Sequence, residues 1–281
     1  MYKIHAPQIT AAEAYRTTIS AIRNPEKRNR HSTCASEVEN KCEDYDRLGE
    51  QYLFETASPL SFGVPNLGSV AMQELYEKQF SKLTGTKQLR DVIRSGAENN
   101  LCPYCGIGLV SQLDHYLPKS EFHAVTVHPK NLVPSCADCN TAKKAFFPSS
   151  NTPAVFHPYF DIAFDIAWLD ATLVRGHDGH PVALFDVHSK ITDTQLRNRM
   201  TMHLDVFNLK NRFSSVASQS LQEFESVYRN SSQKLTLKEA KFELESNIRS
   251  RSSLRENDCR ASTYRAMLTS AWYLIEFIQL D

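Results

Sequence analysis

The sequence predicts an α+β chain, mainly helical, in which a small strand, strand, helix unit built on a four-cysteine metal site lies between two helical regions. Three observations carry this expectation. Two Cys-x-x-Cys pairs, Cys102/Cys105 and Cys136/Cys139, bracket one short segment. Stretches with helix start signals and helical periodicity run before and after it, and two alternating segments joined by a glycine-containing turn follow it. The organisation read from these is an N-terminal helical region over 1–100, the metal-stapled core over 101–147, and a C-terminal hairpin plus helical region over 148–281.

Thr10-Ala11-Ala12-Glu13 has the form of a capping box ahead of a helix that ends near Asn24-Pro25, and Glu26 to His31 follows as a basic stretch. Residues 35–56 and 69–98 read as further helices, separated by a loop from Pro59 to Gly68. Beyond the core, Ala171 to Arg175 and Val182 to Asp186 alternate in polarity about a Gly-His-Asp-Gly-His-Pro turn, which predicts a hairpin. Helices are then expected from Asp193 to Arg229, Thr236 to Arg251 and Cys259 to Gln279. The aromatic and aliphatic stripe of the last reads as core rather than a partner surface.

Composition bounds the function classes. At 281 residues with 41% hydrophobic content, the chain is long enough to bury a full core. Its nearest approach to a membrane span, Ala271 to Leu280, is short and interrupted by Glu276. No signal peptide is evident, and the seven cysteines are odd in number, with Cys34, Cys42 and Cys259 scattered. Such usage suits a reducing cytoplasm rather than a disulfide framework. No Gly/Ser or Pro-rich linker interrupts the chain, which predicts one integrated body.

Within the core, two Cys-x-x-Cys knuckles can place four thiolates tetrahedrally about one Zn²⁺, and Gly106 suits the tight turn of the first. Four ordinary buried cysteines or a redox Cys-x-x-Cys are the competing readings, the latter weakened by the lack of a thioredoxin-like βαβ pattern. Val110 to Tyr116 reads as a strand, with Gln112 and Asp114 on one face and Leu113 and His115 on the other. A hairpin is expected to present Asp114 and His115 side by side. Pro118 stops the strand, Asn131 to Pro134 leads into the second knuckle, and Asn140 to Phe146 looks like the start of a short helix.

These residues resemble the HNH endonucleases and their ββα-metal fold. The match covers residues 101 to 147 and consists of Cys-x-x-Cys, Asp114-His115, Pro118, Asn131-Leu132 and Cys-x-x-Cys-Asn-x-x-Lys ending at Lys143. The resemblance implies that His115 is the general base, Asp114 the ligand of a catalytic metal, and Asn131 the residue that holds the loop and orients the histidine. Asn140 takes the last triad position, where many relatives carry a second metal-binding histidine, making this an H-N-N variant.

The chemistry agrees with those roles. Phosphodiester hydrolysis needs a water nucleophile, a base for its proton, and a cation for the developing charge. An imidazole titrating near neutrality supplies the base, and hard oxygen ligands from Asp114 and Asn140 favour Mg²⁺ or Mn²⁺. His123, His128 and His157 lie close in sequence, with loop or packing roles as the default. Lys119, Lys130, Lys143 and Lys144 border the segment and are candidate phosphate contacts.

The implied function is a metal-dependent endonuclease acting on double-stranded DNA and leaving 5′-phosphate and 3′-hydroxyl ends. Basic and acidic residues balance at 32 each, so no global field drives DNA association, and local patches such as Arg23 to His31, or a recruiting partner, are expected to bring substrate. The pairing of the core with the later His157-Pro-Tyr-Phe-Asp161 looks like HNH partners of ATPase or motor complexes in bacterial anti-phage defence of the Septu or Zorya type. A stand-alone restriction or homing enzyme is the alternative within the enzyme class. A catalytically silent, zinc-stapled DNA-binding or scaffold subunit is the alternative outside it.

Overall fold

The structure is a computed structural model that describes residues 1–230 and 236–278. The Gln279 end of the last predicted helix lies outside the described residues. The chain folds into two compact units, one formed by residues 3–161 and the other by Met1–Tyr2 with 162–281. Two units thus stand where the lack of a linker predicted one body.

The first unit opens with α1 (Ala11–Ser20), whose N-cap Thr10 accepts from the Glu13 backbone N–H at 3.1 Å. Asn24-Pro25, read from sequence as the end of this helix, instead begins α2 (Pro25–Thr33). The Asn24 side chain accepts from Lys27 N at 2.9 Å, and Pro25 occupies a first-turn position whose missing N–H costs nothing. The basic stretch is therefore a helix, and part of its charge is used internally. Lys27 pairs with Glu74, Arg30 donates to the Asn66 carbonyl, and His31 is buried beside the Tyr15 hydroxyl.

Helix α3 (Ala35–Glu50) stops short of the predicted 56, where Phe54–Thr56 forms a separate 3-10 turn. The predicted 69–98 helix is broken in two. Its first half, α4 (Gly68–Glu74), continues through a π-helical turn over Leu75–Phe80, with Ser81 N donating to the Tyr76 carbonyl at 2.8 Å. After a Thr84–Thr86 turn held by Thr86 and Arg90, α5 (Lys87–Ser95) resumes.

Strand β1 (Gln112–His115) pairs antiparallel with β2 (Leu132–Ser135), Asp114 opposite Val133 and His115 opposite Leu132, and α6 (Ala137–Lys143) follows. Strand, strand, helix is the expected unit, though α6 starts earlier than predicted because Cys136 serves as its N-cap, accepting from Cys139 N at 3.4 Å. An aromatic cluster carries this unit on α3. Tyr45, Phe54, Tyr116 and His157 meet with ring centroids 4.2 to 5.3 Å apart for Tyr116–His157, Phe54–Tyr116, Tyr45–Phe54 and Phe54–His157.

The second unit contains the predicted hairpin. Strand β3 (Leu169–Arg175) pairs antiparallel with β4 (Pro181–Val187), and the inward positions of both strands are buried while Leu184 on the other face is exposed. Helices α7 (Thr194–Val206), α8 (Leu209–Asn230), α9 (Leu237–Ser252) and α10 (Cys259–Thr269) follow, α8 lying against β4 and α10 against β3, and the helix predicted to run on from Cys259 breaks at Ser270 before a short turn of helix over Ala271–Tyr273. Thr236 and Glu239 form a reciprocal capping box for α9.

The buried Asn257 ties α10 to the start of β3. Its Oδ1 accepts from Trp168 N at 2.9 Å and Leu169 N at 3.0 Å, while Nδ2 donates to the Phe164 and Ile166 carbonyls. Asn257→Ala would leave these buried groups unpaired and is expected to cost about 2 kcal/mol or more, read as a lower urea midpoint. An unchanged midpoint would show that the amide is dispensable.

Among the described residues no helix is long and apolar enough to cross a membrane.

Candidate active site

The metal staple is the tightest feature of the HNH-like segment. The four sulfurs of Cys102, Cys105, Cys136 and Cys139 lie within 4.8 Å of one another and all four residues are buried. Cys105 Sγ and Cys136 Sγ are 3.9 Å apart, close to the roughly 3.8 Å edge of a tetrahedron with ~2.3 Å zinc–sulfur bonds. Gly106 takes φ 72°, the left-handed conformation that the knuckle turn demands. The Gly108 and Cys139 backbone N–H groups donate to Cys105 Sγ and Cys136 Sγ, both at 3.4 Å. Hydrogen bonds from neighbouring thiols hold Cys105 below the ordinary thiol range and bring Cys136 down to about 6, while burial pushes Cys102 up. Four sulfur donors this close suit a single metal ion, and the donor set fits zinc. No disulfide is present among the described residues.

The staple is linked to the pocket by Tyr104, which stands between the first two cysteines. Its hydroxyl donates to Asp114 Oδ2 at 3.0 Å. The same carboxylate receives Lys143 Nζ at 3.2 Å, and that amine also donates to the His115 carbonyl at 2.6 Å. Burial raises the Asp114 carboxyl and lowers the Lys143 amine, each against their mutual attraction. Lys143 is thus no surface phosphate contact, its side chain being 0% exposed.

His115 is held from the opposite strand face. Its Nε2–H donates to the Thr126 carbonyl at 2.9 Å, which fixes the tautomer and leaves the Nδ1 lone pair bare. The ring edge of Tyr76, from the π-helical turn, packs on it at 4.4 Å between centroids. Burial, aided by the charges of Lys119 and Lys143, pulls the imidazole down to about 3. His115 is therefore neutral across the physiological range, and the sequence expectation of an unperturbed imidazole is corrected.

Asn131 is fully buried. Its Oδ1 accepts from Leu117 N at 2.8 Å and its Nδ2 donates to the Leu117 and Val125 carbonyls, both at 3.1 Å. The loop so braced carries Thr126, the acceptor for His115. Asn140, on α6, donates its amide N–H to Gln112 Oε1, which leaves Oδ1 available. Asp114, His115 and Asn140 line one cavity of ≈ 510 Å³ together with Arg94, Lys119 and Lys144, and Asn131 is not among its lining residues.

The other sequence candidates divide. Lys130 pairs with Asp46 at 2.8 Å outside this cavity, and Lys119, at its rim, pairs with Glu77. His128 donates to Asp46 Oδ1 at 3.0 Å, His157 joins Tyr45 at 2.8 Å, and His123 Nδ1 lies 3.0 Å from the Lys119 carbonyl. None of the three histidines lines the cavity. Sequence reasoning missed Tyr104, Gln112 and Arg94. Period-two alternation had already placed Gln112 on the Asp114 face without giving it a role, whereas nothing local marks the other two.

Comparison with known proteins agrees with this geometry. Residues 102–146 match the family model described as HNH endonuclease. The segment carries an HNH endonuclease domain. Protein ea31 of Escherichia phage lambda is 30% identical over 184 residues, covering 62% of this chain. The chain spans 61% of the length of that relative. No solved structure matches. The HNH domain thus coincides with the staple, β1, β2 and α6, and it supports a nuclease of the HNH type.

Proposed function

We propose that this chain is a metal-dependent DNA endonuclease that hydrolyses phosphodiesters to 5′-phosphate and 3′-hydroxyl ends. The observation that carries the reading is His115, neutral by burial, with Nε2 committed to Thr126 and Nδ1 without a hydrogen bond, lining the same cavity as Asp114 and Asn140. His115 takes the proton of the attacking water at Nδ1 while Thr126 holds the other ring nitrogen. The water oxygen bonds to phosphorus as the bond to the 3′ oxygen breaks, and the departing 3′ oxyanion takes a proton from solvent water to become the hydroxyl. A base so placed contributes a rate factor of about 10² to 10⁴.

Asp114 and Asn140 Oδ1 are the groups that would hold a divalent cation, and their oxygen chemistry suits Mg²⁺ or Mn²⁺. When bound, such an ion supplies stabilisation of the charge developing on phosphate and leaving oxygen. Asn131 keeps the Thr126 loop in place, and Tyr104 keeps Asp114 aimed. Incubation of supercoiled plasmid with wild type and His115→Ala in Mg²⁺ or Mn²⁺ tests the reading. Nicking by the wild type alone supports it, and equal inactivity of both proteins would refute it.

The neutralisation of Asp114 by Lys143 favours a second reading, a silent zinc-stapled DNA-binding or scaffold subunit, which binds DNA in the same assay without cutting it. Asn140 gives an independent check. Asn140→His should move metal preference toward Ni²⁺ or Co²⁺, because imidazole favours later transition metals, while Asn140→Ala should lose activity. Best cleavage by the wild type in Ni²⁺ with none in Mg²⁺ would defeat the oxygen-ligand assignment.

The narrower placement is an effector of bacterial anti-phage defence working with an ATPase or motor partner in the cytoplasm, and it rests on the motif pairing in the sequence. Protection from phage that requires both a co-expressed neighbouring ATPase and His115 would support it. Protection that survives His115→Ala would not.

A further inference from the structure

One cation of the cavity comes from outside the HNH domain. Arg94 stands in the last turn of α5 and lines the same cavity as Asp114, His115 and Asn140. Its Nε is buried and has no hydrogen-bond partner. The carboxylate one turn back, Asp91, is taken by Lys87, and the cavity's own carboxylate, Asp114, is taken by Lys143 and Tyr104. Arg90, one turn away, shows what a structural arginine does here, with its guanidinium on the Leu83 carbonyl at 3.2 Å and the Thr86 hydroxyl at 2.8 Å. Lys119 is likewise balanced by Glu77.

A buried N–H without an acceptor has lost its water and gained nothing in return, and because Arg94 also lines the cavity, an acceptor can reach it from there. A guanidinium only donates, so whatever completes Arg94 must accept, and a partner with two adjacent anionic oxygens matches its planar fork. Because the Asp114–Lys143 pair is balanced, Arg94 and Lys144 leave the cavity with a local positive field that the chain as a whole lacks.

We propose that Arg94 binds a phosphate of the nucleic-acid backbone in the cavity where His115 acts, so that α5 contributes a substrate contact from outside the HNH domain. This rests on the nuclease reading for its place in the reaction, though not for the contact itself.

The test uses the full-length, zinc-loaded protein in two measurements. Affinity for a DNA duplex is followed against salt concentration in a His115→Ala background, where no cleavage intervenes, and plasmid nicking is followed with His115 intact. Arg94→Gln is expected to lower the slope of log affinity against log salt by about 0.9, the share of one phosphate contact. Nicking should fall about 10²-fold, as for loss of an anion-stabilising donor. Arg94→Lys should keep the slope but recover only part of the rate, since a point charge lacks the fork. Arg47→Gln, whose guanidinium pairs with Asp44 away from the cavity, should change neither.

Thermal melts of each variant check folding, and if Arg94→Gln melts early, the rate and slope of Arg94→Lys decide. A wild-type slope in Arg94→Gln, or wild-type nicking in Arg94→Lys, overturns the proposal while leaving the nuclease reading intact. A lowered slope in Arg94→Gln, with no nicking by any protein, supports the contact and refutes the nuclease reading.

Discussion

Cys136→Ser is expected to release stoichiometric zinc, to destabilise the first unit by about 4 kcal/mol or more, and to abolish nicking. Cys136 does two things at once. Its sulfur lies 3.9 Å from that of Cys105, and it accepts from Cys139 N as the N-cap of α6. Because binding free energy of a structural metal is folding free energy, losing one ligand loosens both knuckles. The effect reaches the cavity by named contacts. Tyr104, between Cys102 and Cys105, is hydrogen-bonded to Asp114, and Lys143 at the end of α6 is hydrogen-bonded to Asp114 and the His115 carbonyl. Cys34→Ser, Cys42→Ser and Cys259→Ser lie outside the cluster and should retain zinc. Metal analysis of protein purified without chelators is the check, and its finding no zinc in the wild type would overturn the assignment.

What could be read from sequence was what local spacing encodes. The two knuckles, the alternation in β1, the Thr10 cap before α1 and the β3–β4 turn each lie within a few residues, so periodicity and cap chemistry reached them. Asn24-Pro25 shows the limit of even local signals, since an asparagine followed by proline is both a stop and an N-cap, and only the donation from Lys27 N distinguishes the two. The partners of the site residues are further apart. Lys143 meets Asp114 only because α6 folds back over β1, which turns an apparently solubilising lysine into a buried ion pair. Thr126 meets His115 only because Asn131 closes the loop between them. Arg94 reaches the cavity through the packing of a helix that shares no motif with it. The sequence therefore named candidate groups, and long-range packing decided their surroundings, tautomer and company.

His115→Ala is expected to reduce nicking by at least about 10² while leaving zinc content and divalent-ion affinity unchanged, whereas Asp114→Ala should weaken the divalent ion itself. Equal loss of ion affinity in both would show the roles exchanged. The pH dependence separates chemistry from stability. With His115 drawn down to about 3 by burial, nicking by folded protein at low temperature should show no acid limb near the free-imidazole value of about 6.5. A cation beside Asp114 pushes the same way. Stability should behave differently, because burial also lowers the imidazoles of His128 and His157. Below about pH 6.5 the unfolded chain takes up protons at these rings that the folded chain refuses. Their contribution is thus complete above that value and is lost as pH falls toward the depressed folded values, at up to about 1.4 kcal/mol per pH unit for each ring. Melting temperature should fall between pH 7 and pH 5 while the nicking rate of the surviving folded protein holds. A rate that titrates near pH 6.5 at constant melting temperature would place the base in an open, hydrated setting and contradict the buried, Thr126-bonded imidazole.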